Sequence, residues 1–120
     1  MPPAIPDARH ARGRSAEQWV AERLEGAGWQ VLARNWRAAG GELDLIVEKD
    51  GRIRFVEVKA RRRDDALADD AVSPAQRSRL RRAANLWLAA HPDVREACFL
   101  VAWVRLEDGT VQWMDNAFDG

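Results

Sequence analysis

A chain of 120 residues has room for one domain that buries roughly two-thirds of its unfolded surface, and not for two. Hydrophobic residues make up 47% and charged residues 32%, a balance that excludes the disordered, fibrous and collagen-like classes. The formal net charge is zero, yet the charges are sorted: residues 52–63 carry six bases against Glu57 alone, residues 64–70 four acids, residues 77–82 are basic again, and residues 107–120 carry acids only.

Residues 1–13 read as a flexible N-terminal segment with prolines and arginines but no apolar run of signal-peptide length. No later apolar run is long enough to span a membrane, so a cytoplasmic setting is expected. Ser15 followed by Gln18 has the capping-box pattern, and Ala16, Trp19, Val20, Leu24 and Ala27 recur at helical spacing, which predicts a helix over residues 15–27. Residues 29–36 predict a short strand and residues 38–41 a turn. Residues 42–47 and 52–61, rich in β-branched and aliphatic side chains, predict a hairpin closed by Asp50-Gly51. Residues 62–72 are polar and aperiodic and predict a loop. Ser73-Pro74 with Gln76 then starts a second helix, whose stripe of Leu80, Ala83, Ala84, Trp87 and Leu88 ends at His91-Pro92 and whose outer face is basic. Strands over residues 98–106 and 111–118 complete the order αβββαββ. Cys98 lies in an apolar run and reads as a buried, inert thiol. His10 and His91 have no ligand spacing to it, so no zinc site is expected. Trp19 and Trp87 read as core, and Trp36 as core or as a platform for a base.

With Asp50 and Gly51 as the turn, Lys49 faces Arg52, and counting back places Asp44 opposite Glu57 and Glu42 opposite Lys59, all on one face. Leu43, Leu45, Val47, Val56 and Val58 take the other face as core, while Ile46, Ile53 and Phe55 cover part of the first and leave a cleft at one end. Two carboxylates facing each other repel unless a shared proton, a neighbouring cation or a bound metal offsets them. Oxygen ligands beside an open face suit magnesium or manganese. Lys59 could orient or deprotonate a water or stabilise an attacked phosphate. The chain has 17 arginines and two lysines, Lys49 and Lys59, so a lysine at this position points to chemistry, since arginine cannot give up its proton. The bland alternative is that Asp44 and Glu57 are solvent-facing strand positions paired with Lys59 and nearby arginines.

Residues 41–63, GELDLIVEKDGRIRFVEVKARRR, closely resemble the central block of the YraN-like family of small bacterial proteins. The skeleton of Asp44 with Glu57-Val58-Lys59 resembles the PD-(D/E)XK nuclease superfamily, the restriction endonuclease-like and Holliday junction resolvase-like enzymes. The likeness extends to Gly13 and Glu17, to Asn35 after the first strand, and to Asn116-Ala117-Phe118 at the end. It implies an α/β fold with a restriction endonuclease-like core, a mixed central sheet flanked by helices, as a single nuclease-like domain over residues 14–120. By the same resemblance Asp44 and Glu57 bind the metal with help from the Val58 carbonyl, Lys59 serves the nucleophile, and Glu17 is a further acid of the site. The chain departs from the pattern in having Leu43 where the superfamily has proline, Gln76 where the family commonly has lysine, and Cys98-Phe99-Leu100 where it commonly has Arg-Phe-Asp.

These readings together imply a magnesium- or manganese-dependent endonuclease hydrolysing phosphodiester bonds in DNA, with branched or single-stranded regions as substrates by analogy. Arg61, Arg62, Arg63, Arg77 and Arg81 are the candidate holders of the nucleic-acid backbone, and symmetric cutting of two strands would call for a homodimer. The alternative is a non-catalytic nucleic-acid-binding or adaptor protein on the same scaffold. A facing acidic pair counts against that reading, because it weakens phosphate binding unless a metal is present.

Overall fold

Two serine caps start the helices. In the computed structural model, which describes residues 15–61 and 72–115, Ser15 Oγ accepts from the backbone N–H of Gln18 at 3.0 Å and Ser73 Oγ from that of Gln76 at 3.1 Å. These bonds satisfy N–H groups that the first turn of a helix leaves without partners. Helix α1 spans Ala16–Gly26, and α2 spans Pro74–Ala89 with its proline in the first turn, where no donor is missed. The expected N-terminal segment, the loop with Arg62 and Arg63, and Asn116-Ala117-Phe118 lie outside the described residues.

The strands are β1 (Gln30–Ala38), β2 (Gly41–Lys49), β3 (Arg52–Arg61), β4 (Glu96–Arg105) and β5 (Val111–Asp115), and the element order is αβββαββ as expected. They form one five-stranded mixed sheet in the order β1-β2-β3-β4-β5. Neighbours pair antiparallel except β3 and β4, which are parallel because α2 carries the chain back across the sheet between them. Asp50 and Gly51 have φ values of 55° and 80°, the two left-handed residues of a type I′ turn, and Lys49 pairs with Arg52 as the turn chemistry predicts.

The sheet is buried on both faces. Under α1, Trp19, Val20, Ala21 and Leu24 meet Leu45, Val47, Val56, Ala102 and Val104. Under α2, Leu80, Ala83, Ala84 and Trp87 meet Leu43, Ile46, Ile53, Phe55, Val101 and Trp103, with Phe55 edge-on to Trp87 at 5.8 Å between ring centroids. This corrects the expectation of one core face: Ile46, Ile53 and Phe55 are the centre of a second core, and Leu43 belongs to it and not to the core of Leu45 and Val47. The alternation breaks beside Asp44. Pairing passes from Trp36–Leu43 to Arg34–Leu45, while Asn35 between them has a φ of 50° that strand geometry does not accommodate. Gly41, at the start of β2, lets α2 approach closely; a Cβ there would stand 2.3 Å from the carbonyl oxygen of Arg79. Trp19 ties α1 to the turn after β4, its indole N–H donating to the carbonyl of Gly109 at 2.9 Å. No helix among the described residues is long and apolar enough to cross a membrane.

Candidate active site

Continuous pairing of β2 with β3 ends at Leu45–Val56, one residue short of Asp44 and Glu57. Where the ladder stops, a side chain takes over: Asp44 Oδ2 accepts from the backbone N–H of Val58 at 2.8 Å. The two acids are therefore neighbours through their side chains, close enough for the Glu57 carboxyl to act on that of Asp44, and not a regular backbone pair. Glu57 is only 8% exposed, an unusual place for a carboxylate, and buried charges of this kind need partners. It has two on one oxygen: Gln76 Nε2 of α2 donates to Oε2 at 2.8 Å, and Lys59 Nζ stands 3.5 Å from the same atom.

Burial pushes the Asp44 carboxyl up from 3.8 to about 7, and the Glu57 carboxyl beside it adds to the rise against the lowering effect of the Val58 N–H. The Asp44 carboxyl is thus held well above the usual range of a carboxylate. Glu17, in the first turn of α1, is also raised, by burial first and then by the charges of Asp44 and Glu42. α1, β2, β3 and α2 each contribute one acid or amide to this corner. Glu42, whose charge reaches both Glu17 and Asp44, pairs with Arg37 of β1 at 3.1 Å, in place of the expected neighbour Lys59.

A hard divalent cation fits the donor set, because the repulsion between two neighbouring carboxyls is offset by a bound cation as well as by a proton. Among the described residues no three His, Cys, Asp or Glu side chains form a ready-made cage. Asp44 and Glu57 would be the protein's carboxylate ligands, with the Val58 carbonyl and water completing the shell, as magnesium prefers.

The basic residues fall differently. Arg61 is 8% exposed at the end of β3, inside the protein and not on an open surface. Arg77 is half-buried, with Nε donating to the Val72 carbonyl at 3.1 Å, and Arg81 is half-buried too, whereas Arg79 and Arg82 are exposed on α2. Arg62 and Arg63 lie outside the described residues. Trp36 packs against the α2-side core, and Cys98 is half-buried on β4. Trp103, which pairs with Lys59 across β3 and β4, buries its indole N–H with no acceptor among the described residues.

Gln76 is the partner that residue patterns alone do not reveal. Its place three residues after Ser73 marks it as a capping-box residue, but its side chain serves Glu57. A separate cavity of about 340 Å³ lies between the β2–β3 turn and the C-terminal end of α2, lined by Leu32, Ile53, Trp87, His91 and Val94. Ile53 is four residues from Glu57, roughly 13 Å along the strand, so this cavity lies toward the β2–β3 turn and apart from the acid corner.

Residues 16–106 match the uncharacterised protein family UPF0102. A UPF0102 protein of Gloeobacter violaceus is 44% identical over 122 residues, covering 95% of this chain and 97% of its own length. One of Methylorubrum extorquens is 50% identical over 95 residues, 76% of this chain and 73% of the relative. One of Nitratidesulfovibrio vulgaris is 40% identical over 117 residues, 94% and 87% respectively.

Proposed function

This chain belongs to the uncharacterised protein family UPF0102, and we propose that it is a divalent-metal-dependent endonuclease of the PD-(D/E)XK type that hydrolyses phosphodiester bonds in DNA. The observation that carries the reading is the closeness of the Asp44 and Glu57 carboxyls with Lys59 Nζ 3.5 Å from Glu57 Oε2, in a corner bounded by two helices. A structural role alone gives no reason to hold two acids together at the cost of a raised pKa, whereas perturbed carboxyls beside a lysine are what phosphoryl chemistry uses.

Magnesium or manganese, when bound, supplies Lewis-acid polarisation of a phosphoryl oxygen and makes water more acidic. The protein's own groups do the rest. Asp44 is aimed by the Val58 N–H and Glu57 by Gln76, so both carboxyls are preorganised. Lys59 is placed to stabilise the charge that grows on the attacked phosphate or to orient the attacking water. Glu17 adds negative charge from α1 that favours a cation over a proton at higher pH. Arg79 and Arg82 on the exposed face of α2, with Arg77 and Arg81 beside them, hold the backbone of the nucleic acid without reading its bases.

One observation favours a second reading, a nucleic-acid-binding or adaptor protein without catalysis. Glu57 already has Gln76 and Lys59 as partners, and Asp44 already accepts from the Val58 N–H, so both acids have partners without a cation. The test is incubation of the protein with labelled single-stranded, duplex, flap and four-way-junction DNA in magnesium or manganese, beside EDTA. Cutting that EDTA abolishes is the expected result and gives the substrate shape as well. Salt-sensitive binding with no cutting of any of the four would replace the nuclease by the adaptor.

A further inference from the structure

We infer that Gln76 is a positioning residue for the acid pair and that the neutrality of its amide sets how tightly the site holds a divalent cation; this rests on the metal-dependent reading above. Gln76 Nε2 and Lys59 Nζ approach the same oxygen of Glu57, at 2.8 Å and 3.5 Å. Two donors on Oε2 fix the Glu57 carboxyl in one orientation beside Asp44. The support reaches back to the main chain. Ser73 Oγ accepts from the backbone N–H of Gln76, so the amide springs from a capped first turn whose direction does not wander.

An amide donates a hydrogen bond without cancelling charge, which makes the residue type decisive. With Asp44 and Glu57 ionised and Lys59 beside them, the three groups carry one net negative charge, and Glu17 supplies more from α1. A lysine at position 76 would reach Glu57 just as well. It would also bring the count to two acids and two bases, leaving the pair neutralised before any cation arrives. Gln76 therefore does two things that a basic residue cannot combine: it holds Glu57 still and leaves the site's negative charge uncancelled.

The experiment is Mn²⁺ affinity by isothermal titration calorimetry on the full chain, wild type beside Gln76→Ala and Gln76→Lys, with thermal unfolding of each in EDTA. Partners of ligating groups typically contribute about 10–100-fold to metal affinity. Gln76→Ala takes one of two partners from the buried Glu57 carboxyl, so it is expected to lower the unfolding midpoint in EDTA while the protein still folds, and to weaken Mn²⁺ binding of the folded protein about tenfold. Gln76→Lys keeps the donor and the reach and is expected to bind at least as weakly as the alanine variant. Wild-type affinity in both variants would overturn the role of Gln76 and leave the metal site standing, as would full rescue by lysine for the argument from neutrality. No Mn²⁺ binding by the wild type would overturn the metal-dependent reading itself.

Discussion

Burial raises the pKa of Asp44, the Val58 N–H opposes that rise, and the carboxylates of Glu57 and Glu42 add to it. Its folded value of about 7 lies above the value of 3.8 for an unperturbed aspartate, so the metal-free protein takes up a proton on folding between those two pH values. That contribution to stability is fully present below about pH 4 and is lost as pH rises through about 7. Asp44→Asn cannot ionise, yet it keeps an oxygen for Val58. In EDTA it should therefore be more stable than the wild type at pH 8, by about 1 kcal/mol once the partial exposure of the site is allowed for, with the gap closing toward pH 5. Urea unfolding of both proteins at pH 5 and pH 8 measures this, and a wild type more stable than the variant at pH 8 would contradict it. The acids and Lys59 were legible because lysine is so rare in this chain and because alternation in a hairpin can be counted from its turn. Gln76 was not legible as a partner, since only the crossover of α2 over β3 brings it to Glu57.

At the scale of elements, the turns and caps carry most of the information. Asp50-Gly51 sets the hairpin and its register, and Ser15 and Ser73 set the helix starts, because in each case the local chemistry leaves few alternatives. Simple alternation misplaces the faces of β2, because Leu43 and Leu45, on either side of Asp44 and opposite the left-handed Asn35, serve different cores. No residue type in β2 announces that break. Ser73→Ala should cost about 1 kcal/mol by loss of the cap, and it should also lower Mn²⁺ affinity, because Gln76 rides on that turn. Gly41→Ala should be worse, about 2–3 kcal/mol, since the added carbon meets a main-chain carbonyl that cannot move without shifting α2 off the sheet. Thermal unfolding of the two variants ranks them, and a Gly41→Ala protein as stable as the wild type would contradict the close approach.

Over the whole molecule, a sheet covered by α1 on one side and α2 on the other leaves the acid corner as the place where four elements converge, with the apolar cavity apart from it, toward the β2–β3 turn. The parallel pairing of β3 with β4 agrees with the pattern of elements, since the helix between them can carry the chain back across the sheet, whereas the full strand order is a property of the fold. Charge sorting along the chain translates only partly into surface: Arg79 and Arg82 face solvent, while Arg61 is buried. Binding of DNA should therefore weaken in Arg79→Ala/Arg82→Ala, with the slope of log affinity against log salt reduced by about one for each phosphate that is no longer neutralised. An unchanged slope would place the nucleic acid elsewhere.

The central claim is that Asp44, Glu57 and Lys59 act together on a phosphodiester. Single-turnover cleavage of the best DNA substrate at saturating Mn²⁺ tests it most directly, comparing wild type with Lys59→Ala and Asp44→Ala and following Mn²⁺ binding in parallel. Lys59→Ala should still bind the metal and yet cut at least about a hundredfold more slowly, and Asp44→Ala should lose both binding and cutting. A Lys59→Ala protein that cuts as fast as the wild type would contradict the account.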